Sequence, residues 1–135
     1  MKKVLLTPVA GPYGALSVVY DLAQDRLTKG QDIFTETSHM HCEALHFLAQ
    51  NIEAPCTVLE FPTLDELLAE LEKGYDYVGI NFTVLNISGC MKMVDAIRRH
   101  YPKTEIILGG YGTICFDAMF QGADPLSSSV EYICR

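Results

Sequence analysis

The stretch YVGINFTVLNISGCMKMVDAIRRHYPKTEIILGG, residues 77–110, decides the fold of this chain. It contains two short apolar runs, at residues 77–82 and 105–108. The segment between the runs carries apolar side chains at helical spacing. Runs that are apolar almost throughout are typical of strands covered on both faces, as in a parallel sheet. The intervening helix is the crossover that two parallel neighbours need. The stretch therefore predicts a strand–helix–strand unit.

The same alternation of strand and helix extends to both sides of this unit. Further strands are predicted at residues 4–6, 56–61 and 130–134. Right-handed crossovers place the connecting helices on both faces of such a sheet. We therefore expect one α/β domain in which five parallel strands lie between two layers of helices.

The helices that complete this pattern are marked by their ends. They are predicted from Thr37 or Ser38 to Ile52, with Leu48 in the buried stripe, from Thr63 to Gly74, from Asn86 or Ser88 to Arg99, and over residues 114–120. The second of these begins with the spacing of a capping box, which satisfies two free N–H groups at a helix start. Residues 15–36 contain a helical pattern that stays ambiguous.

Composition excludes several classes of protein. The chain has 135 residues, of which 49% are hydrophobic and 20% charged, as expected for one globular domain. A net charge of −7 argues against a nucleic-acid partner, and no apolar stretch has the length of a membrane span or a signal peptide. The five cysteines lie at least 14 positions apart, which predicts free thiols in a reducing cytoplasm and no zinc or iron–sulfur site of the chain's own.

Ligands of open parallel sheets bind beyond the carboxyl ends of the strands, where the strand order reverses. That rule selects the loops at residues 7–14, 83–88 and 109–113 and the chain after Cys134. The first loop is uncharged, the second offers hydroxyl and amide groups, and the third has three glycines, which let a flat ligand approach the backbone. These loops are the predicted ligand site.

Each of these loops also has a purely structural interpretation. In this interpretation, Gly109 and Gly110 form a tight turn and bind no ligand. Thr83 and Asn86 likewise serve as helix caps and nothing more. The backbone N–H groups before Ile114 are further candidates for contact with a phosphate. The loops contain neither the carboxylates of a magnesium site nor a G-x-G-x-x-G or P-loop pattern, which disfavours a dinucleotide fold.

The histidines and cysteines suggest no catalytic centre. His39 and His41 are expected in a solvated first helical turn, with Cys42 packed inward, and His46 and His100 are expected at the surface. Near a helix start, a cysteine can have a lowered pKa, and Cys90 occupies such a position; the alternative is that it is a core residue.

Three stretches of the sequence resemble a known family. They are YDYVGIN at residues 75–81, AIRRHYP at 96–102 and IILGGYGT at 106–113. Together they resemble the cobalamin (vitamin B12)-binding domain at the N-terminus of radical S-adenosylmethionine (radical SAM) enzymes, most closely over residues 74–113. The resemblance implies a flavodoxin-like (Rossmann-like) three-layer α/β/α fold whose doubly wound parallel sheet has the strand order 2-1-3-4-5.

The resemblance also implies a cofactor site, with cobalamin flat over the strand ends and its nucleotide tail inside the domain. Thr83 would bond the tail, and the two glycines after the fourth strand would leave room for it. The D-x-H-x-x-G element of other cobalamin proteins is absent, so the cofactor is expected base-off, without a protein histidine on cobalt. The residues assigned to cofactor binding are Pro8, Gly11, Pro12, Thr83, Val84, Leu85, Asn86, Gly109, Gly110, Tyr111 and Gly112, with no catalytic residue and no metal ligand.

The catalytic part of such an enzyme is expected outside this sequence. In the family, a C-x-x-x-C-x-x-C motif holds a 4Fe-4S cluster next to S-adenosylmethionine, and that motif is absent here. Residues 1–135 are therefore expected to be the N-terminal fragment of a longer radical SAM protein, a methyltransferase or related oxidoreductase. Its partner would be the downstream domain in cis, and the fragment would not be catalytic alone.

Two other functions stay open at this stage. One is a structural or substrate-recognition domain of the same fold without a corrin. The other is a small independent α/β enzyme or a flavin carrier. Residues 15–36 are expected either to cover the strand ends as a lid or to form a homodimer contact through Val18, Val19 and Tyr20.

Overall fold

The computed structural model describes residues 1–9, 42–114, 126 and 128–134. This part of the chain contains five strands, three α-helices and one short 3-10 helix, and residues 111–114 are also helical. The strands are β1 (Val4–Pro8), β2 (Cys56–Val58), β3 (Tyr77–Asn81), β4 (Glu105–Gly109) and β5 (Tyr132–Ile133). The helices are α1 (Glu43–Asn51), α2 (Leu64–Leu71), the 3-10 helix (Val84–Asn86) and α3 (Ile87–His100).

All five strands pair in parallel in one sheet, in the order β2-β1-β3-β4-β5. β1 lies in the interior, so the chain moves outward to β2 and then crosses back to β3 on the other side of β1. The register aligns Leu6 with Gly79, and Gly79 with Ile107. The predicted fold class is confirmed, including the flavodoxin-like strand order.

Helices cover both faces of the sheet, because side chains alternate between the faces along each strand. On one face, α2 and α3 pack against Val78, Ile80, Ile106 and Leu108, all of which are at most 1% exposed. On the other face, α1 packs through Leu45 against the apolar side chains of β1 and β2. The architecture therefore has three layers, α/β/α.

Helix α2 has the capping box predicted from its sequence. The Glu66 N–H donates to Thr63 Oγ1 at 3.2 Å, and the Thr63 N–H donates to Glu66 Oε2 at 2.7 Å. The hydrogen bonds from the Thr63 backbone and hydroxyl hold the pKa of the Glu66 carboxyl below its usual value. After the helix, Gly74 has φ +76°, the left-handed region that glycine adopts without steric cost.

Several predicted boundaries are corrected by the structure. Helix α1 begins at Glu43 with Cys42 in the N-cap position, not at Thr37 or Ser38. Leu48, predicted to be buried, is 48% exposed. The inner face of the helix is taken by Leu45 and by the positions four and seven residues later, which leaves Leu48 on the outer side.

The strands also differ in length from their predicted ranges. Pro8 and Gly109 extend β1 and β4, because Pro8 pairs with Asn81 and Asn81 pairs with Gly109 in register. The edge strands β2 and β5 are shorter than predicted, since each has a neighbour on one side only. The helix predicted at 114–120 begins earlier in the structure, since residues 111–114 are already helical. Residues 115–120 lie outside the described residues, as does the helical pattern within 15–36.

Arg98 near the end of α3 attaches the edge strand β5 to the rest of the domain. Its Nε donates to the Ser129 carbonyl at 2.7 Å and its Nη1 to the Thr104 carbonyl at 2.7 Å, and its Nη2 pairs with the Glu131 carboxylate. Glu131 Oε2 also accepts the Ile106 N–H at 2.7 Å. Burial raises the pKa of this carboxyl, but the hydrogen bonds and the Arg98 charge outweigh it and hold the pKa below its usual value.

Replacing Arg98 by methionine is expected to lower the free energy of unfolding by about 2–4 kcal/mol, because three hydrogen bonds are lost and the Glu131 carboxylate loses its counter-ion. The measurement is urea unfolding at neutral pH. Arg99→Met is the matched control, since Arg99 is exposed and forms no hydrogen bond or ion pair with the described residues. A control effect within about 0.5 kcal/mol is expected. Equal effects of the two substitutions would contradict the assigned role of Arg98.

Glu131 also predicts a pH dependence of stability. A carboxyl whose pKa is lowered by folding stabilises the protein above its unfolded pKa, and this contribution is lost as the pH falls through the folded pKa. Between neutral pH and about pH 4, the wild type should therefore lose more unfolding free energy than Glu131→Gln. Urea titrations at the two pH values check this, and equal losses would exclude the linkage.

Candidate functional site

The carboxyl ends of β1, β3 and β4 lie side by side along one border of the sheet, perpendicular to the strands. We call this border the carboxyl edge, and it is the edge meant below. Pro8 pairs with Asn81, and Asn81 pairs with Gly109, so the last residues of the three strands are neighbours. The strand order reverses between β1 and β3, which is where open α/β sheets place their ligands. The predicted site residues Pro8, Thr83, Val84, Leu85, Asn86, Gly109, Gly110, Tyr111 and Gly112 belong to this edge, whereas Gly11 and Pro12 lie outside the described residues.

Thr83 and Asn86 bond to each other around the 3-10 helix. Asn86 Oδ1 accepts the Thr83 N–H at 2.7 Å and lies 3.3 Å from Thr83 Oγ1. The pair therefore forms a capping box on the 3-10 helix, whereas the Asn86 side chain makes no cap hydrogen bond to α3, although Asn86 holds its N-cap position. Asn86 Nδ2 donates no hydrogen bond within the part of the chain that the structure describes, so this N–H₂ group is available to a ligand.

The three glycines of the loop after β4 differ in their surroundings. A Cβ added to Gly109 would meet no atom of the described residues within 4 Å, so within this part of the chain the position adjoins open space. Gly110 has φ +94°, and its added Cβ would lie 2.0 Å from Asn81 Oδ1. An added Cβ at Gly112 would lie 2.2 Å from a ring carbon of Phe82. Gly110 and Gly112 are therefore required by the protein's own turn and packing, and Gly109 is the glycine beside open space.

Phe82 occupies the space next to Gly112. Its side chain is 1% exposed, and its carbonyl accepts the Gly112 N–H at 2.9 Å. The Thr113 N–H donates to the Gly110 carbonyl at 3.1 Å. The phosphate contact at the backbone N–H groups before Ile114 stays a prediction. Residues 111–114 are already helical, and two N–H groups of this segment, those of Gly112 and Thr113, have protein partners.

Asn81 and Cys42 are site residues that the sequence pattern did not reveal. Asn81 Nδ2 donates to Cys42 Sγ at 3.0 Å, at the level of the open position of Gly109. Asn81 Oδ1 accepts no hydrogen bond from the described residues. Cys42 packs inward against the α1 core, as predicted. The one available signal was an asparagine at the end of an apolar strand, where asparagine is disfavoured.

The edge carries no charge over most of its length. Residues 77–91 and 106–114 contain no Asp, Glu, Lys or Arg. His46 pairs with Glu60 on the exposed side of α1, and His100 ends α3 at the opposite edge of the sheet; both are exposed, as predicted. His39 and His41 lie outside the described residues. Within the described segments, no three His, Cys, Asp or Glu residues form a group that could hold a metal ion.

Cys90, near the start of α3, is a core residue. Cys90 is fully buried, and burial raises the pKa of its thiol to about 12, so the core interpretation is confirmed and the thiolate is not formed near neutral pH. Cys42, Cys56, Cys90 and Cys134 are free cysteines. Cys90 is therefore not a nucleophile at this edge.

No protein-family model and no curated protein matches this chain. In the segments described by the structure, no helix combines the length and the apolar character needed to cross a membrane. Assignment of the site therefore depends on its geometry. The relevant features are three adjacent strand ends, an uncharged surface, one open glycine position and two amide side chains with free hydrogen-bonding groups.

Gly112→Ala should destabilise the protein by about 1–3 kcal/mol, because the new methyl group overlaps the Phe82 ring in the core. Gly109→Ala is the matched control from the same loop and should change the unfolding free energy by less than about 0.5 kcal/mol. Urea unfolding of both variants tests this difference. Equal destabilisation would mean that the space beside Gly109 is filled.

Proposed function

We propose that this chain is a cofactor-carrying domain that binds cobalamin across the carboxyl ends of β1, β3 and β4. The observation that carries this proposal is the open position of Gly109 at an uncharged switch point of the sheet. A broad ligand can approach the backbone closely only where a residue has no side chain, as at a glycine. A mostly uncharged ligand is bound well by an uncharged surface.

The groups at this edge fit the chemistry of a corrin. Its rim carries carboxamides, which both donate and accept hydrogen bonds. Asn81 Oδ1 offers an acceptor and Asn86 Nδ2 offers donors, both without partners among the described residues. Tyr111 is 79% exposed and presents a ring against which a flat ligand can stack.

The domain's own role in this proposal is to bind and orient the cofactor. Bound cobalamin would supply the cobalt that carries a transferable methyl or alkyl group. The side chains of Asn81 and Asn86 would fix the rim of the ring, and the backbone at Gly109 would allow close approach. The reaction would belong to a radical SAM domain in cis, which holds S-adenosylmethionine and a 4Fe-4S cluster.

A second candidate, a corrin-free domain of the same fold, is favoured by two observations. Thr83, expected to bond the nucleotide tail, already bonds Asn86, and Phe82 fills the space beside Gly112. A scaffold domain would need these contacts and nothing more. The flavin carrier has less support, because two of the backbone N–H groups before Ile114 that a phosphate would use, those of Gly112 and Thr113, have protein partners.

Incubation with hydroxocobalamin followed by desalting is expected to leave the protein with a corrin visible spectrum. Gly109→Val should raise the Kd at least about tenfold by filling the open space, whereas Gly109→Ala should have a smaller effect. Thermal unfolding of both variants checks that the fold is intact. A colourless wild-type protein without a thermal shift would contradict the proposal and support the corrin-free domain, and retention of flavin mononucleotide would support the flavin carrier.

A further inference from the structure

The Thr113 side chain connects two elements that are far apart in the sequence. Thr113 is 1% exposed, and its Oγ1 lies 2.7 Å from the Cys134 carbonyl oxygen and 2.8 Å from the Gly110 carbonyl oxygen. Cys134 directly follows β5, whereas Gly110 belongs to the loop after β4. The hydroxyl therefore lies between the end of the edge strand and the loop that presents Tyr111 at the carboxyl edge.

The two carbonyl groups compete for one hydrogen atom. A threonine hydroxyl has a single hydrogen, so it donates to one carbonyl at a time. The Gly110 carbonyl also accepts the Thr113 N–H at 3.1 Å, whereas the Cys134 carbonyl accepts no other hydrogen bond from the described residues. Donation to the Cys134 carbonyl therefore satisfies both acceptors, and it joins residues 21 positions apart in the sequence.

Strand β5 gives this connection a fixed end. The Cys134 N–H donates to the Leu108 carbonyl at 2.8 Å, which holds the end of β5 against β4. Arg98 holds the start of the strand through the carboxylate of Glu131. Because β5 is bonded to the rest of the domain at both ends, the Thr113 hydroxyl restrains the loop rather than the strand.

Tyr111 depends on its backbone for its orientation. Its side chain is 79% exposed, so packing against the described residues does little to hold the ring. On one side of it, the Gly110 carbonyl accepts the Thr113 N–H. On the other side, the Gly112 N–H donates to the Phe82 carbonyl. The turn therefore determines where the ring lies, and Thr113 joins this turn to the end of β5.

We propose that Thr113 is a positioning residue for ligand binding at the carboxyl edge. Its hydroxyl fixes the loop after β4 against the end of β5, so that the Tyr111 ring is in place before a flat ligand arrives. The ligand then binds without the entropic cost of ordering this loop. This inference rests on the proposed function, because the flat ligand against which Tyr111 would stack is the corrin.

The first test is binding of hydroxocobalamin to Thr113→Val, which removes the hydroxyl and retains the branched side chain. The Kd should rise about threefold to tenfold, and Thr113→Ser should restore the wild-type Kd within about twofold. Thr104→Val is the matched control, because Thr104 is also buried and its hydroxyl donates to the Tyr75 carbonyl at 3.1 Å. Thr104 precedes β4 at the opposite border of the sheet, so this variant loses a comparable hydrogen bond and should keep the wild-type Kd.

A double-mutant cycle tests whether Thr113 acts through Tyr111. In the Tyr111→Ala background, Thr113→Val should change the Kd by less than about twofold, because the ring that the hydroxyl positions is gone. Amide hydrogen exchange gives a second readout that needs no ligand. The Gly112 and Cys134 amides should exchange about threefold to tenfold faster in Thr113→Val. In Thr104→Val they should exchange at the wild-type rate.

Three outcomes would overturn the role assigned to Thr113. They are equal rises in Kd for Thr113→Val and Thr104→Val, additive effects of Tyr111→Ala and Thr113→Val, and unchanged amide exchange in Thr113→Val. Failure of this inference is distinct from failure of the proposed function. Wild-type protein that binds cobalamin with a Kd unchanged by Thr113→Val contradicts the inference alone, whereas wild-type protein that binds no cobalamin contradicts both.

Discussion

The in-register parallel pairing of β1, β3 and β4 is the constraint from which the rest of the molecule follows. It places Pro8, Asn81 and Gly109 side by side at one edge, so that three loops distant in sequence start from a common line. The same register sets Gly79 against Leu6, whose Cδ2 would lie 2.6 Å from an added Cβ. A slip of one residue would move every buried side chain to the opposite face. Core and site are therefore determined by the same alignment.

The residues at this edge divide into those that close the core and those that face outward. Phe82 and Gly112 are matched in shape, since the glycine makes room for the ring, and the Gly112 N–H bonds to the Phe82 carbonyl. Asn81 immediately precedes Phe82 and pairs with Gly109, and alternation along the strands places both on the face opposite Ile80 and Leu108. Phe82 and Gly112 therefore close the core on one face of the sheet, and among the described residues Gly109 leaves space for a ligand on the other. A binding site needs such a packed support.

Much of the fold could be predicted because its signals are local. The apolar run before Asn81 and the capping spacing of Thr63 depend on neighbouring residues, and both were predicted correctly. The bond between Asn81 and Cys42 could not be predicted, since it joins residues 39 positions apart through the tertiary fold. Sequence spacing likewise could not show which glycine adjoins open space. The space next to Gly110 is filled by the Asn81 side chain, and the space next to Gly112 by the Phe82 ring.

The distribution of charge at this edge fits the binding role that we propose for it. Soluble domains have about 25% charged residues, and water-exposed loops are where charges cost least. Most of residues 77–91 and 106–114 are buried or half-buried in the strands and the core, but the exposed ones, Ser88, Gly110, Tyr111 and Ile114, also carry no charge. A scaffold that met only water at this edge would have no reason to exclude charge. A site that is covered by a large, mostly uncharged ligand would have a reason to exclude charge. A charged side chain beneath the ligand would lose its hydration without gaining a partner.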